Sequence, residues 1–273
     1  MTERVALVTG ASSGIGASTA IELAERGYTV YAAARRVERM ETLKTAGIRV
    51  IPLDVTDDDS VMAAVSGILD TTGRIDLLVN NAGYGSFGAI EEVSPEEGRK
   101  QFDVNVFGAI RLAQLVIPGM RERRTGRIVN VTSVGGKIHS PFGAWYHGTK
   151  FALEGMSDAL RVELEPFGVD VVVVEPGAIK TEWSGIAADT LLAASGDGPY
   201  AEAAAKLAES FHSSTYTDSA SDPAVIAAVI VRAATVDRPR PRYAAGSGAK
   251  LLLTARRMLS DRAFDKLVTR SVR

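Results

Sequence analysis

Cysteine is absent from the 273-residue chain, which excludes disulfide bonds and thiolate metal sites. The three histidines, His139, His147 and His212, lack metal-ligand spacing, so no metal site is expected. The net charge of −2 gives no general attraction for nucleic acid. No apolar run approaches the roughly 20 residues of a membrane span. An apolar run follows Met-Thr-Glu-Arg at once, leaving no room for a signal peptide, and we expect a cytoplasmic protein.

Short apolar runs alternate with helical patterns, as in sheets built from βα units. The runs are largely apolar throughout, which is typical of parallel strands covered on both faces. We predict an α/β fold with a doubly wound parallel sheet of about seven strands, with helices on both faces, in a single domain over residues 1–273. The predicted strands are Val5–Val8, Thr29–Ala33, Arg49–Leu53, Leu77–Val79, Ile128–Val131 and Val169–Val174, with a seventh near Arg242–Ala245.

Local signals mark several helix ends. Gly27 is expected to end the first helix, and the acidic run 57–59 is expected to start the third. Ser94-Pro95-Glu96-Glu97 combines a capping box with proline at the first helical position. A buried apolar stripe is predicted on the helix after Lys150, formed by Leu153, Met156, Leu160 and Leu164.

Two segments do not follow the βα alternation. Residues 182–222 are rich in small residues and are expected to cover the substrate as a lid. Their larger apolar side chains would line a pocket or form the packing face of a short helix: Trp183, Leu191, Leu192, Tyr200, Leu207 and Phe211. Residues 250–273 form a basic amphipathic tail, which would pack on its own domain or a partner subunit, or touch an anionic membrane surface.

A glycine-rich turn follows the first predicted strand and precedes an amphipathic helix. It reads Gly10-Ala11-Ser12-Ser13-Gly14-Ile15-Gly16. Glycines let the backbone approach phosphate, and a helix N-terminus offers free N–H groups. This context suits a dinucleotide pyrophosphate, although an ordinary glycine-rich βα turn would look similar.

Tyr146 and Lys150 are four residues apart, so on a helix they lie on one face. A nearby ammonium group stabilises phenolate and lowers the tyrosine pKa, which is ordinarily about 10. Such a tyrosine could exchange a proton with an alcohol or a ketone. By itself the pair could also be part of a solvated helix face.

Six motifs in order resemble those of the short-chain dehydrogenase/reductase family, over about residues 3–181. They are Thr9–Gly16, the run Asn80-Asn81-Ala82-Gly83, Asn105, Ser133, the pair Tyr146 and Lys150, and Pro176-Gly177. The segments around 174–183 and 239–243 resemble a subgroup similar to 17β-hydroxysteroid and retinol dehydrogenases. The resemblance implies a Rossmann-type fold that binds a nicotinamide cofactor.

The resemblance also implies roles for four catalytic residues. Tyr146 would be the general acid/base, and Lys150 would lower its pKa and bind the nicotinamide ribose. Ser133 would donate a hydrogen bond to the substrate oxygen. Asn105 would interrupt its helix and hold a water that links Lys150 to solvent.

The expected cofactor contacts run along the carboxyl ends of the strands. Asp54 and Val55 would contact adenine, although Asp54 could instead cap a helix. Thr181 would bind the carboxamide or a phosphate, or cap a lid helix. The full expected set is Gly10, Ser12, Ser13, Gly14, Ile15, Gly16, Arg35, Asp54, Val55, Asn81, Ala82, Gly83, Tyr146, Lys150, Pro176, Gly177 and Thr181.

NAD-dependent members of this fold place an acid at the end of the second strand, where it binds the ribose 2′-hydroxyl, and the expected position of that acid here is Ala34. Arg35 follows and suits a 2′-phosphate, unless it simply begins an exposed helix. NADP(H) is therefore favoured, with NAD(H) still possible.

We expect an oxidoreductase that interconverts a ketone or aldehyde and an alcohol, acting on a small and mostly apolar molecule. We also expect a homo-oligomer, either a dimer or a tetramer. Two alternatives stay open: a non-catalytic NAD(P)-sensing protein of the same fold, and a nucleotide-sugar epimerase or dehydratase.

Overall fold

The computed structural model describes residues 4–270, and the side chains of all of these except residues 215–217. The strands are β1 Arg4–Thr9, β2 Tyr28–Ala34, β3 Arg49–Pro52, β4 Leu77–Asn80, β5 Gly126–Val131, β6 Val169–Pro176 and β7 Arg242–Ala245. They form one seven-stranded sheet in the order β3-β2-β1-β4-β5-β6-β7, and every neighbouring pair is parallel. The predicted α/β doubly wound fold and its seven strands are confirmed.

Helices follow the strands and cover both faces of the sheet. They are α1 Gly14–Glu25, α2 Glu41–Thr45, α3 Asp58–Thr72, α4 Pro95–Phe102, α5 Gly108–Glu122, α6 Ala144–Leu164, α7 Trp183–Ser195, α8 Ala201–His212, α9 Ser214–Ser219, α10 Pro223–Thr235, α11 Ala249–Met258 and α12 Asp261–Val268. A π-helical turn, Asp103–Phe107, joins α4 to α5. None of the helices within the described part of the chain is long and apolar enough to cross a membrane.

The predicted helix ends agree with local hydrogen bonds. Asp57 accepts from the backbone N–H of Asp59 at 3.1 Å at the start of α3. Ser94 accepts from the N–H of Glu97 at 3.1 Å and so caps α4. The other half of the expected capping box takes a different partner, because the Glu97 carboxylate accepts from the Tyr84 hydroxyl at 2.9 Å.

Alternate residues of each central strand face opposite layers of the core. On β1, Ala6 and Val8 face the layer that contains α1 and α10, whereas Val5 and Leu7 face the layer that contains α3 and α5. This arrangement explains the uniformly apolar strands, since both faces of the sheet are buried.

The predicted apolar stripe on α6 is wrong at one position. Leu153 and Leu164 are buried, but Met156 is 38% exposed. The buried face of this helix instead includes Glu154 and Ser157, and the Ser157 hydroxyl accepts from the amide of Asn130 on β5 at 2.9 Å. Hydrogen-bonded polar side chains therefore replace part of the apolar contact between α6 and the sheet.

The strand order reverses direction between β1 and β4, and such a switch point opens a crevice at the carboxyl ends of the strands. Asn80 stabilises the sheet beside it. Its amide donates to Asn130 Oδ1 at 2.9 Å and to the Ala109 carbonyl at 3.0 Å. The neighbouring strand ends are thereby held together at the base of the crevice.

The basic tail packs on its own chain through α11 and α12, while its last residues, 271–273, lie outside the described part. Phe264 of α12 is fully buried beside Val134 and Ile138, which follow β5. His139 and Asp265 form an additional contact of 2.9 Å. Packing on its own domain was one of the alternatives that the sequence left open.

Candidate active site

A cavity of about 500 Å³ opens at the carboxyl ends of the central strands. Its walls come from the turns after β1 to β6, from α6, and from the helices that follow β6. All but two of the predicted site residues line it: Gly10, Ser12, Ser13, Gly14, Ile15, Arg35, Asp54, Val55, Asn81, Ala82, Gly83, Ser133, Tyr146, Lys150, Pro176, Gly177 and Thr181. The exceptions are Gly16 and Asn105, which lie behind the wall.

The turn after β1 forms a cradle with little side-chain cover. Gly10 and Gly14 have φ angles of +65° and +54°, a region that favours glycine. A Cβ on Gly14 would lie 2.9 Å from Cγ2 of Thr181. Ser13 begins α1 without making a side-chain capping bond. The first N–H groups of α1 are thus available to a phosphate.

Gly16 and Asn81 stabilise the shape of this turn. A Cβ on Gly16 would lie 2.4 Å from the Gly10 carbonyl oxygen, so only glycine lets α1 come so close. The Asn81 amide donates to the Thr9 carbonyl at 3.0 Å and to the Gly10 carbonyl at 3.3 Å. Gly16 therefore acts through packing, whereas Asn81 both lines the cavity and supports the cradle.

The ends of β2 and β3 form the far end of the cavity. Ala34 is buried, and the exposed Arg35 follows it. Asp54 accepts from the N–H and the hydroxyl of Thr56, at 3.0 and 2.8 Å, through the same oxygen. Burial raises the pKa of Asp54, but the Thr56 hydrogen bonds and the Arg35 charge outweigh it, so the net pKa is lowered. A carboxylate with one oxygen still available thus faces the cavity beside Arg35.

An ion-pair cluster joins this end to the segment after β6. Glu182 accepts from Arg39 at 3.2 Å and lies 3.5 Å from the Arg36 guanidinium. Hydrogen bonding from Arg39 lowers the pKa of Glu182. Arg35 makes no ion pair within residues 4–270, so its guanidinium is available to a ligand.

Tyr146 and Lys150 lie together on α6, and both are largely buried. The Lys150 ammonium donates to the Val131 carbonyl at the end of β5, at 3.1 Å. Burial lowers its pKa to about 8, against the opposing effect of the Glu154 carboxylate. A Cβ on Gly83 would lie 3.6 Å from this ammonium, so the backbone after β4 approaches it closely.

Asn105 lies on the π-helical turn between α4 and α5, where the predicted interruption of the helix is found. Its carbonyl oxygen accepts from the Tyr84 N–H at 3.0 Å. Its amide donates to the Tyr84 carbonyl at 2.9 Å and to the Thr149 hydroxyl at 3.0 Å. These bonds connect α6 to the segment after β4, and none of the bonds described for Asn105 reaches Lys150.

Ser133 lies two residues after the end of β5 and has a proton available for a ligand. Its hydroxyl oxygen accepts from the Gly135 N–H at 2.9 Å. A hydroxyl group that accepts at its oxygen can still donate its own proton. This proton lies on the cavity wall next to Tyr146, whose ring would be 3.1 Å from a Cβ on Gly135.

The loop after Ser133 is held by His147, a residue to which no sequence motif assigned a role. His147 Nδ1 lies 2.9 Å from the Gly135 carbonyl, and Nε2 lies 3.0 Å from the Ser140 hydroxyl. A carbonyl cannot donate, so Nδ1 carries the proton and Nε2 accepts from Ser140. Burial lowers the pKa of His147 and favours this neutral form. Its position next to Tyr146 in sequence was the available signal.

Aromatic rings form the cavity wall above Tyr146. Phe87, Trp183 and Phe211 contact one another edge to face, with ring centroids 5.5–5.9 Å apart. The Tyr146 ring lies 5.2 Å from Trp183 and 5.7 Å from Phe87. Phe87 follows β4 in a loop that carries no local pattern, so the sequence alone did not indicate its place in the wall.

The larger apolar side chains of residues 182–222 divide between lining the pocket and packing between helices, the two alternatives left open by the sequence. Trp183, Leu207 and Phe211 line the cavity. Leu191 is fully buried between α7 and α8, whereas Leu192 is 43% exposed. Thr181 lines the cavity and accepts from the Trp183 N–H at 3.3 Å at the start of α7, so its expected contact with a cofactor stays a prediction.

The geometry brings together the glycine cradle after β1, the buried pair Tyr146 and Lys150, and an apolar recess formed by the aromatic wall. No group of three or more His, Asp or Glu side chains with metal-binding geometry occurs within residues 4–270. The arrangement can bind a dinucleotide along the strand ends and transfer a proton at Tyr146.

Comparison with known sequences places the chain among related enzymes. The profile of the short chain dehydrogenase family matches residues 4–191. The probable short-chain type dehydrogenase/reductase VdlC of Helicobacter pylori is 35% identical over 263 residues, covering 96% of both chains. Retinol dehydrogenase 8 of Homo sapiens is 41% identical over 192 residues, covering 67% of this chain and 61% of that protein.

Solved structures show the same architecture. A short-chain dehydrogenase from Streptomyces avermitilis is 36% identical and superposes with a TM-score of 0.80, covering 93% of this chain and 92% of that one. A metagenomic short-chain oxidoreductase in complex with NADP is 28% identical, with a TM-score of 0.70 over 89% of this chain and 96% of that one.

Proposed function

This chain belongs to the short-chain dehydrogenase/reductase family, and from that premise we propose that it is an NADP(H)-dependent oxidoreductase with Tyr146 as general acid/base. It interconverts a ketone or aldehyde and an alcohol on an apolar substrate. The observation that carries the proposal is the placement of Tyr146, Lys150 and Ser133 on one cavity that also contains the glycine cradle.

The residues fit a nicotinamide dinucleotide. Any side chain in place of Gly10 or Gly14 would fill the cradle. The N-terminus of α1 is open to a pyrophosphate. Asp54 would accept from an adenine amino group through its available oxygen, and Pro176 and Thr181 would hold the nicotinamide end. When bound, the cofactor supplies or accepts the hydride.

The protein's own residues place and move the proton. In reduction, the Tyr146 hydroxyl donates its proton to the substrate oxygen, and in oxidation the phenolate accepts it. The charged form of Lys150 stabilises the phenolate. Ser133 donates to the same substrate oxygen. The role of Asn105 in a water-mediated path from Lys150 to solvent stays a prediction.

NADP(H) is favoured over NAD(H) by the end of β2. Ala34 provides no carboxylate for a ribose hydroxyl, and Arg35 can form a charge-assisted bond to a 2′-phosphate. The NADP complex of a structural relative is consistent with this choice. NAD(H) is the alternative cofactor, because Arg35 is exposed and solvent would weaken its bond to a 2′-phosphate.

The aromatic wall of Phe87, Trp183 and Phe211 supports an apolar substrate larger than a short-chain alcohol. A polar sugar nucleotide would leave its hydroxyl groups without partners against these rings. We further propose that the chain is one domain, with residues 182–222 as the substrate lid, and that it works as a cytoplasmic homo-oligomer.

The test is a panel of ketones, aldehydes and alcohols with NADPH and NADH, followed by nicotinamide absorbance. Tyr146→Phe should keep cofactor affinity but lower turnover by at least ~10²-fold, the typical contribution of general acid–base catalysis. Tyr200→Phe, which removes a hydroxyl bonded to Glu91 outside the recess, is the matched control. Residual activity above a tenth in Tyr146→Phe would contradict the assignment. Cofactor binding without turnover across the panel would favour the non-catalytic alternative.

A further inference from the structure

Glu154 lies one helical turn beyond Lys150 on α6, as Tyr146 lies one turn before it. Only 3% of the Glu154 side chain is exposed. A buried carboxylate is costly unless it is paired, and an apolar residue would fill the same space at lower cost. The placement of this charge beside the catalytic pair therefore needs an explanation.

The carboxylate holds both ends of the loop that begins with Ser133. Thr132 donates its hydroxyl proton to Glu154 at 2.7 Å, and the Lys137 ammonium forms an ion pair with the same carboxylate, with Nζ 2.9 Å from Oε2. The loop also lies directly on the side chain, since a Cβ on Gly136 would be 2.8 Å from Glu154 Cγ. Glu154 thus anchors the residues on either side of the Ser133–Gly136 segment.

Glu154 also influences the charge of Lys150. Its negative charge favours the ammonium form of Lys150 and opposes the effect of burial. On its other side it accepts from Arg242 Nε at 3.0 Å. The charged and titratable groups around this centre are Tyr146, His147, Lys150 and Asp158 on α6, Lys137 on the loop, Glu175 on β6, Arg242 on β7 and Arg257 on α11.

We propose that Glu154 is a positioning residue of this active site: it seats the Ser133 loop through Thr132 and Lys137, and it keeps Lys150 charged for Tyr146. This inference rests on the proposed function. It predicts two separable effects, one on the placement of Ser133 and one on the titration of Tyr146.

The variants separate these effects. Glu154→Gln removes the charge and weakens the loop anchor. Lys137→Gln weakens the anchor but leaves the Glu154 charge in place. Glu163→Gln, on an exposed part of the same helix, is the matched control. Glu154→Asp keeps the charge with a shorter reach and serves as the conservative rescue.

The first readout is the pKa of the Tyr146 phenol, measured by phenolate absorbance as the difference between each variant and its Tyr146→Phe counterpart. Losing the Glu154 charge makes Lys150 less charged, so Glu154→Gln should raise the Tyr146 pKa by on the order of one pH unit. Glu154→Asp should restore most of this change. Lys137→Gln and Glu163→Gln should titrate like the unmodified protein.

The second readout is turnover. Glu154→Gln and Lys137→Gln should both lower kcat by about tenfold or more, with cofactor affinity unchanged, because the loop presents the Ser133 hydroxyl. Only Glu154→Gln should move the pH profile. If Glu154→Gln folds and titrates like Glu163→Gln, or if Lys137→Gln shifts the phenol equally, the inference is overturned. If Glu154→Gln does not fold, the titration of Glu154→Met, which removes the charge and fills the space with an apolar side chain, is compared with that of Glu163→Gln and decides between the same outcomes.

The two readouts also distinguish this inference from the proposed function. If the unmodified protein turns over no carbonyl or alcohol, the proposed function fails. The phenolate titration needs no substrate, so it tests the effect of the Glu154 charge on Lys150 and Tyr146 independently of turnover. Normal turnover with an unshifted Glu154→Gln titration would reject the inference and leave the proposed function intact.

Discussion

Replacing Lys150 with methionine should stabilise the fold at neutral pH while it abolishes turnover. The ammonium group is almost completely buried, and burial lowers its pKa from 10.5 to about 8. Below that pKa the folded protein has to keep a buried positive charge, whereas the unfolded chain keeps it in water. Methionine has a similar length and removes this cost.

The magnitude follows from the change in pKa. A fall from 10.5 to about 8, at about 1.36 kcal/mol for each pKa unit, is about 3 kcal/mol of unfolding free energy. Loss of the hydrogen bond to the Val131 carbonyl costs roughly 1 kcal/mol and reduces this gain. Lys150→Met should therefore gain on the order of 2 kcal/mol at pH 7.

The pH dependence has a definite sign. Because the folded-state pKa is below the unfolded-state pKa, the folded protein binds fewer protons between about pH 8 and 10.5. The unmodified protein should gain stability as the pH rises through this window. The advantage of Lys150→Met should shrink over the same window and vanish before its upper end, because the lost hydrogen bond to Val131 is not recovered.

Urea denaturation at fixed protein concentration, without cofactor and from pH 7 to about 10, measures this difference. Lys250→Met, which replaces an exposed lysine on α11, is the control and should leave the free energy of unfolding nearly unchanged. A Lys150→Met protein that is less stable at pH 7, or a difference that does not vary with pH, would refute the reasoning.

Three further predictions concern the cavity wall. Arg35→Ala should weaken NADPH binding ten- to a hundredfold and leave NADH binding unchanged, because a charge-assisted bond contributes ~1.5–3 kcal/mol. Ala34→Asp should weaken NADPH binding further, because its carboxylate repels the phosphate. The dissociation constants of both cofactors test this, and an equal loss of affinity for both in Arg35→Ala would contradict the role of Arg35. Ser133→Ala should lower kcat by ~10²–10³-fold with cofactor affinity intact, and lost cofactor binding would instead place Ser133 on the cofactor. Gly14→Ala should weaken the binding of both cofactors, because the left-handed φ and the close approach to Thr181 would strain the cradle. Dissociation constants from titration calorimetry that equal those of the unmodified protein would show that the cradle is not the phosphate site.

Features encoded within a few residues could be predicted from the sequence. The seven strands, the glycine turn and the caps at Asp57 and Ser94 depend on local spacing and backbone preference. The pairing of Tyr146 with Lys150 depends only on the pitch of one helix. Most of the predicted cavity residues also follow from topology, because the carboxyl ends of parallel strands meet at one edge.

Other features required the tertiary structure, because their partners are distant in sequence. Phe87 reaches the recess only through the path of the loop after β4, and Arg39 pairs with Glu182 across a separation of 143 residues. The exposed Met156 shows the same limit, since the sheet-facing side of α6 is partly satisfied by hydrogen bonds that the apolar pattern does not reveal.

The sequence by itself determined the doubly wound sheet, the cradle after β1 and the tyrosine and lysine on one helix face, since each depends on periodicity or on a single turn. The tertiary structure alone decided that Glu154 meets Lys137 and Arg242, that the lid divides between pocket and packing, and that the basic tail lies against the loop after Ser133. Contacts of this kind arise where separate elements converge, and their energies depend on burial and distance, which appear only once the chain has folded.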